Sequence, residues 1–184
     1  MQKFRDYLWL FLISGFIVAL DQYTKWLVRS NLLFAESWLP EQYQSLLPYM
    51  RIVYWHNTGA AFGLFQNGNL IFIILGFIVS GVIIYYYPQV SREDWWLKLA
   101  LGLQLGGALG NLIDRLQFGH VIDFISVGSF PVFNVADSAI TVGTGILLLG
   151  VYLKERKLTS HAKTIQDPEN SSPVNTQPEA PKSE

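Results

Sequence analysis

The sequence predicts an all-α integral membrane protein with four transmembrane helices. Three observations carry this. Of 184 residues, 51% are hydrophobic and only 15% charged. The apolar residues gather into four blocks, each close to the ~20 residues a helix needs to cross the hydrocarbon layer. The lysines and arginines fall unevenly between the connections, the asymmetry that orients membrane chains.

The first span covers about 7–28, LWLFLISGFIVAL followed by DQYTKWLV. Its apolar core runs into Asp21, Gln22 and Lys25 and not into a small-residue cleavage site, so it reads as a retained helix and not a removed signal peptide. The connection 29–68 is too long for a bare helix–helix link. Its MRIVYWHNTGAAFGLF mixes β-branched and aromatic residues around the turn-forming Asn57-Thr58-Gly59. That pattern predicts a short strand, a tight turn and more extended chain at the membrane surface. The second span, about 69–87, is almost wholly apolar and stops at Pro88.

The third span, about 95–116, opens on WWLKLALGL and closes on GNLIDRL. Gly102, Gly106 and Gly110 recur at every fourth position, which lets another helix approach closely. In the connection 117–136, HVIDFISV reads as extended chain. The fourth span, about 137–153, ends at the basic KERK. From Leu158 the chain is polar, with Pro168, Pro173, Pro178 and Pro181 and no aromatics, the composition of a disordered tail. Residues 1–157 thus form one membrane domain, and 158–184 an inner tail.

Four spans put both termini on one face. Lys3, Arg5, Arg92, Lys98, Lys154 and Lys157 are among the nine cations of that side, against Lys25, Arg29, Arg51 and Arg115 on the other. The termini are therefore expected inside and the two longer connections outside. A net charge of −1 supplies no basic field for nucleic acid. The absence of cysteine removes thiol nucleophiles, disulfides and cysteine-held metals together. His56, His120 and His161 lack metal-ligand spacing, so neither metal nor cofactor is expected.

Asp21, Asp114, Asp123 and Asp137 concentrate at the outer ends of the spans or just outside them. A charge near hydrocarbon costs about 3 kcal/mol or more unless it is partnered or lines a wet cavity. Asp21 and Lys25, four apart on one helix, suit a span-end salt bridge or a brace for a neighbouring site. Asn111, Asp114 and Arg115 share a face, and Arg115 serves equally to hold Asp114 or a ligand. In FNVADSAI, Asn134 and Asp137 have the spacing of a capping box, and an acid in the first turn also suits the helix dipole. Asp123, flanked by Val121, Ile122, Phe124 and Ile125, is a carboxyl among apolar neighbours, where its pKa tends to rise. Each acid alone has a structural explanation. Together with Asn57, Asn111, Asn134 and Arg115 at one end of a small bundle, they also fit hydrolytic machinery. Two carboxyls about 5 Å apart, at an effective dielectric near 20, repel by roughly 3 kcal/mol. Their titrations then separate by about two pH units, the arrangement by which paired acids activate water. A wet binding cavity would need the same residues.

DQYTK, NTGAAF, GGALGNLIDR, VIDF and FNVADSA resemble, in order, spacing and context, the motifs of the bacterial lipoprotein (type II) signal peptidases. The resemblance covers about residues 7–155. It implies four membrane helices with a small extracytoplasmic β-sheet cradle and a short surface helix. It implies an intramembrane aspartic endopeptidase that removes the signal peptide from prolipoproteins on the N-terminal side of a diacylglyceryl-modified cysteine. By this likeness Asp123 and Asp137 are the catalytic pair. Asn57, Asn111, Arg115 and Asn134 line the substrate site, while Asp21, Lys25 and Asp114 support it. No cofactor is implied, and the partners are lipid-modified prolipoproteins and membrane lipids in the bacterial inner membrane. The link VGSFP between the two acids is short for this pattern. A proton-coupled carrier would place its acids near the bilayer midplane; an assembly scaffold would use the glycine ladder and tolerate loss of the acids.

Overall fold

A computed structural model describes residues 2–47, 49–59, 68–91 and 93–166. Two compact units divide it, Met1–Leu148 and Leu149–Glu184, the second holding the later turns of the last helix. In chain order the elements are α1 (Gln2–Asn31), β1 (Ser37–Trp38), a 3-10 helix (Glu41–Leu46), β2 (Met50–Asn57), α2 (Asn69–Tyr86), a 3-10 turn (Tyr87–Gln89), α3 (Trp95–Phe118), β3 (Val121–Val127) and α4 (Val135–Gln166).

Local chemistry sets the boundaries. Pro88 has no N–H for a helical bond, and α2 tightens into the 3-10 turn there. Gly119 adopts a left-handed conformation (φ 76°) and donates its N–H to the Arg115 carbonyl at 3.1 Å, closing α3. Two residues later, at Val121, the chain enters β3. At the start of α4, the Asn134 side chain accepts from the Asp137 N–H at 2.9 Å, and Asp137 accepts from the Asn134 N–H at 3.3 Å. This is the reciprocal capping box that the spacing predicts.

Among the described residues, three helical stretches are long and apolar enough to cross a membrane: Tyr7–Asn31, Asn69–Gln89 and Val135–Arg156. The third expected span, α3, is not among them, because it carries Lys98, Gln104, Asn111, Asp114 and Arg115. Its position explains the difference. α3 is enclosed by its neighbours, with nine of its residues from Ala100 to Asp114 buried. A methyl on Gly106 would lie 2.6 Å from Ile17 Cβ of α1, and Leu112 lies against Gly76 of α2. Gly107 meets the Ala136 carbonyl of α4. The glycine ladder thus works by close approach, and the central helix meets protein where the outer ones present apolar side chains outward. Phe16 and Phe77, 67% and 57% exposed, belong to such faces. In water they would be liabilities; against lipid they are not. Leu10, Ile83, Tyr87 and Leu105 form the buried apolar core between α1, α2 and α3.

The three strands form an antiparallel sheet in the order β1-β2-β3. Asn57 pairs with Val121 and Trp55 with Asp123. Two residues apart on one strand, Trp55 and Asn57 project to the same face, so Asn57 reaches diagonally to Asp123. At the end of β2, the Asn57 side chain accepts from the Gly59 N–H at 3.0 Å, making the expected turn. The extended chain expected beyond it, 60–67, lies outside the described residues. α4 continues to Gln166, past Leu158 where the polar tail was expected to begin; 167–184 lie outside the described residues.

Gly107→Ala should destabilise the fold by about 1–3 kcal/mol, through overlap with the backbone of the first turn of α4. In detergent this is a fall of about 3–10 °C in Tm. Gly81→Ala, with nothing within 4 Å of the added methyl, should leave Tm unchanged or raise it. Equal Tm for the two variants would contradict the close packing.

Candidate active site

The site is built on a buried cation. Lys25, 2% exposed, places its Nζ 2.8 Å from Asp21, 2.9 Å from Asp114 and 3.0 Å from Asn111 Oδ1, using all three ammonium donors. Each carboxylate then grips backbone. Asp21 accepts from the Ala136 N–H at 2.9 Å, and Asp114 from the Ile122 N–H at 3.0 Å. Gln22 Nε2 donates to Asp114 Oδ1 at 2.9 Å and to the Gly110 carbonyl at 3.1 Å. One ion cluster therefore ties α1 to α3, to the start of β3 and to the first turn of α4.

That cluster sets the positions of the two outer acids. Asp123, on β3 and 1% exposed, accepts from Asn57 Nδ2 at 2.8 Å and from Asn134 Nδ2 at 2.7 Å. Asp137 accepts from Asn111 Nδ2 at 2.8 Å. Asn134, fully buried, touches both acids: its amide side chain binds Asp123, and its backbone N–H binds Asp137. The link between the acids makes this possible. It turns at Gly128 (φ 52°), and Phe133 then pairs with Ile125 through bonds of 2.8 and 3.1 Å, returning residue 134 beside β3.

Burial, and after it the charge of Asp137, push the Asp123 carboxyl up to about 7. The Asn57 and Asn134 amides and the charge of Lys25 oppose this without cancelling it. Asp123 is therefore balanced between its two forms near neutrality.

Between α2, α3, α4 and the segment 130–133 lies a cavity of about 850 Å³. Asn57, Asn111, Arg115 and Asp137 supply polar groups to a wall otherwise formed largely by residues such as Phe72, Leu75, Val79, Phe133 and Ile140. Asp137 is on this wall; Asp123 sits behind the Asn57 amide. Arg115 does not hold Asp114, whose cation is Lys25. It donates to the Gly59 carbonyl at 3.1 Å, with its guanidinium 4.8 Å over the Phe72 ring.

All nine residues singled out in the sequence thus fall in one connected network. Gln22 was not singled out, although its place beside Asp21 was the available signal. Nor was the contact of His56 with His120, whose tilted rings lie 3.8 Å apart between β2 and the start of β3. Residues 64 apart give no periodic sign of meeting.

Apolar helices around a largely apolar cavity, with one carboxyl and three amides on its wall, define the class as a small membrane-embedded enzyme, and its relatives give the family. A family model described as signal peptidase (SPase) II matches residues 13–153. The lipoprotein signal peptidase of Shouchella clausii is 44% identical over 147 residues, covering 79% of this chain and 94% of that one. That of Pseudomonas syringae pv. tomato is 40% identical over 159 residues, covering 80% and 87%. A solved bacterial membrane enzyme superposes with a TM-score of 0.70 at 27% identity, covering 90% of this chain and 93% of that one. The chain belongs to the signal peptidase II family, a family of proteases.

Lys25→Met should leave two buried carboxylates without their cation, a loss of about 3–5 kcal/mol. The variant should be recovered poorly or melt far below the parent in detergent. A parent-like melting curve would show the cluster to be dispensable. Asp123 also gives a pH signature. Its folded pKa of about 7 lies above the ordinary 3.8, so stability is lost as pH rises from the lower value through the higher. Asp123→Asn does not titrate, so its Tm relative to the parent should climb between pH 4 and 8 and then level. A difference independent of pH would contradict the raised value.

Proposed function

We propose that this protein removes the signal peptide from prolipoproteins whose cysteine carries a diacylglyceryl group, with Asp123 and Asp137 as the catalytic pair. The contact of Asn134 with both acids, beside a largely apolar cavity, carries this reading. Relatives named lipoprotein signal peptidases, covering most of the chain, support it.

In the proposed chemistry Asp137, on the cavity wall, takes a proton from a water molecule. The water oxygen attacks the scissile carbonyl. Asp123, protonated, gives its hydrogen bond to the carbonyl oxygen as that oxygen becomes tetrahedral. Collapse of the tetrahedral centre breaks the C–N bond, and the proton held by Asp137 passes to the leaving amine of the cysteine. For this, the substrate carbonyl takes the place of the Asn57 amide at Asp123 Oδ2. Asn111 and Asn134 hold the two carboxyls in register, and Arg115 supplies a fixed cation for peptide carbonyls at the rim.

The proposed setting is the bacterial inner membrane, with α3 as a fourth span shielded by its neighbours, both termini cytoplasmic and the acids near the outer face. The membrane domain is 1–157, with the remainder a cytoplasmic tail. The sheet forms the outer cradle. Lipid chains of the substrate lie among the helices, which holds the peptide at high effective concentration beside the acids.

Asp123→Asn and Asp137→Asn should each abolish cleavage of a lipidated precursor in detergent, with chelator present, while the protein stays folded. The parent rate should fall about tenfold per pH unit above about 7, as Asp123 loses its proton. Full processing by either variant would reject the pair.

A further inference from the structure

The wall of the cavity beneath the acids has a hydrogen-bonding polarity that the proposed chemistry does not use. Gln104 lies seven residues before Asn111 on α3, two turns along and on the same face. Ser138 and Thr141, on α4, also line the cavity. The hydroxyl protons of Ser138, Thr141 and Thr144 are all spent within their own helix. They go to the carbonyls of Asn134, Asp137 and Ile140 at 2.9, 2.8 and 2.8 Å. Each hydroxyl has a single proton, so each oxygen can offer only lone pairs elsewhere.

This fixes the orientation of Gln104. Its amide lies 3.1 Å from Thr144 Oγ1, and an oxygen without a proton to give must be met by Nε2. Gln104 Oε1, which accepts no hydrogen bond among the described residues, is left as an acceptor on a side chain lining the cavity. Ser138 Oγ, Thr141 Oγ1 and Gln104 Oε1 are therefore acceptors on three side chains that line the cavity, with the second Nε2 proton of Gln104 the one donor left among these three side chains.

We infer that Gln104 is a positioning residue for substrate, its Oε1 accepting a backbone N–H from the stretch of signal peptide just before the scissile bond. The inference rests on the proposed peptidase function. A signal peptide crosses the membrane as a helix, and a helical peptide bond cannot reach an attacking water until it is unwound. Unwinding exposes backbone N–H groups in an apolar setting, where each must find an acceptor. Residues before the cleaved bond lie deeper than the acids, as Gln104 does. At 1.5 Å per helical residue Gln104 is about 10 Å below Asn111. At about 3.3 Å per extended residue, that depth corresponds to the third residue before the scissile bond.

The alternative role for Gln104 is to clip α3 to α4 through Thr144, and the two roles separate experimentally. Lipidated precursor peptides carrying one backbone N-methyl group at the second, third or fourth residue before the cleavage point would be compared on the parent, Gln104→Leu and Thr144→Val. Methylation at the third residue should cut parent kcat/KM by roughly five- to tenfold, the loss of one hydrogen bond. It should cost Gln104→Leu nothing further, and Thr144→Val should respond as the parent does. Overturning results would be equal losses in the two variants on unmethylated peptide, or a methyl penalty at the third residue that survives in Gln104→Leu. Uncleaved peptide with the parent enzyme would instead reject the peptidase function, and this inference with it.

Discussion

Asn134 is the joint on which the site depends, because among the described residues it is the one that hydrogen-bonds to both outer acids. Its side chain holds Asp123 on the sheet, while its backbone and its capping bond hold Asp137 at the head of α4. It can do so only because it is enclosed and its position is over-determined. Asp21 grips the next turn through Ala136, and Phe133, just before it, is paired to β3. A helix start is a natural place for such a joint. The capping amide is already required there, so the fold and the chemistry ask for the same residue.

Behind that joint, electrostatics explains why the cluster is so densely connected. A lone carboxylate in this setting would be too costly, and the structure answers in two ways. Asp21 and Asp114 share one ammonium and spend their remaining lone pairs on backbone and Gln22. Asp123 has amides and no adjacent cation, so burial and the neighbouring acid favour its protonated form. The inner acids are thus partnered by one ammonium, and an outer one is kept near balance by withholding an adjacent cation. Arg115, the cation nearest by sequence, is turned instead toward Gly59 and the Phe72 face.

Much of this was legible in the sequence because helical spacing is short-range. Asp21 with Lys25, Asn111 with Asp114 and Asn134 with Asp137 are pairs that periodicity places on one face. The capping box and the glycine approach follow from the same arithmetic. Two features were not legible. Asp114 pairs across helices with Lys25 and not with its neighbour Arg115, a choice made by tertiary packing. The lower apolarity of α3 was the other: its enclosure by α1, α2 and α4 relaxes the demand for lipid-compatible side chains, which no window along one helix can register. The sequence motifs carried the likeness to the family, whereas the meeting of Asp123 and Asp137 through Asn134 needed the turn at Gly128 and the bridge to Phe133.

The central claim is that Asp123, held between two amides and beside a second carboxyl, keeps its proton close to neutrality. Infrared difference spectroscopy of the detergent-solubilised protein, following the carbonyl stretch of protonated carboxyl groups through a pH titration, tests it most directly. The account predicts one such band that disappears with a midpoint near pH 7 and is missing from Asp123→Asn. A protein with no protonated carboxyl band at pH 6, or one whose band persists in that variant, would contradict it.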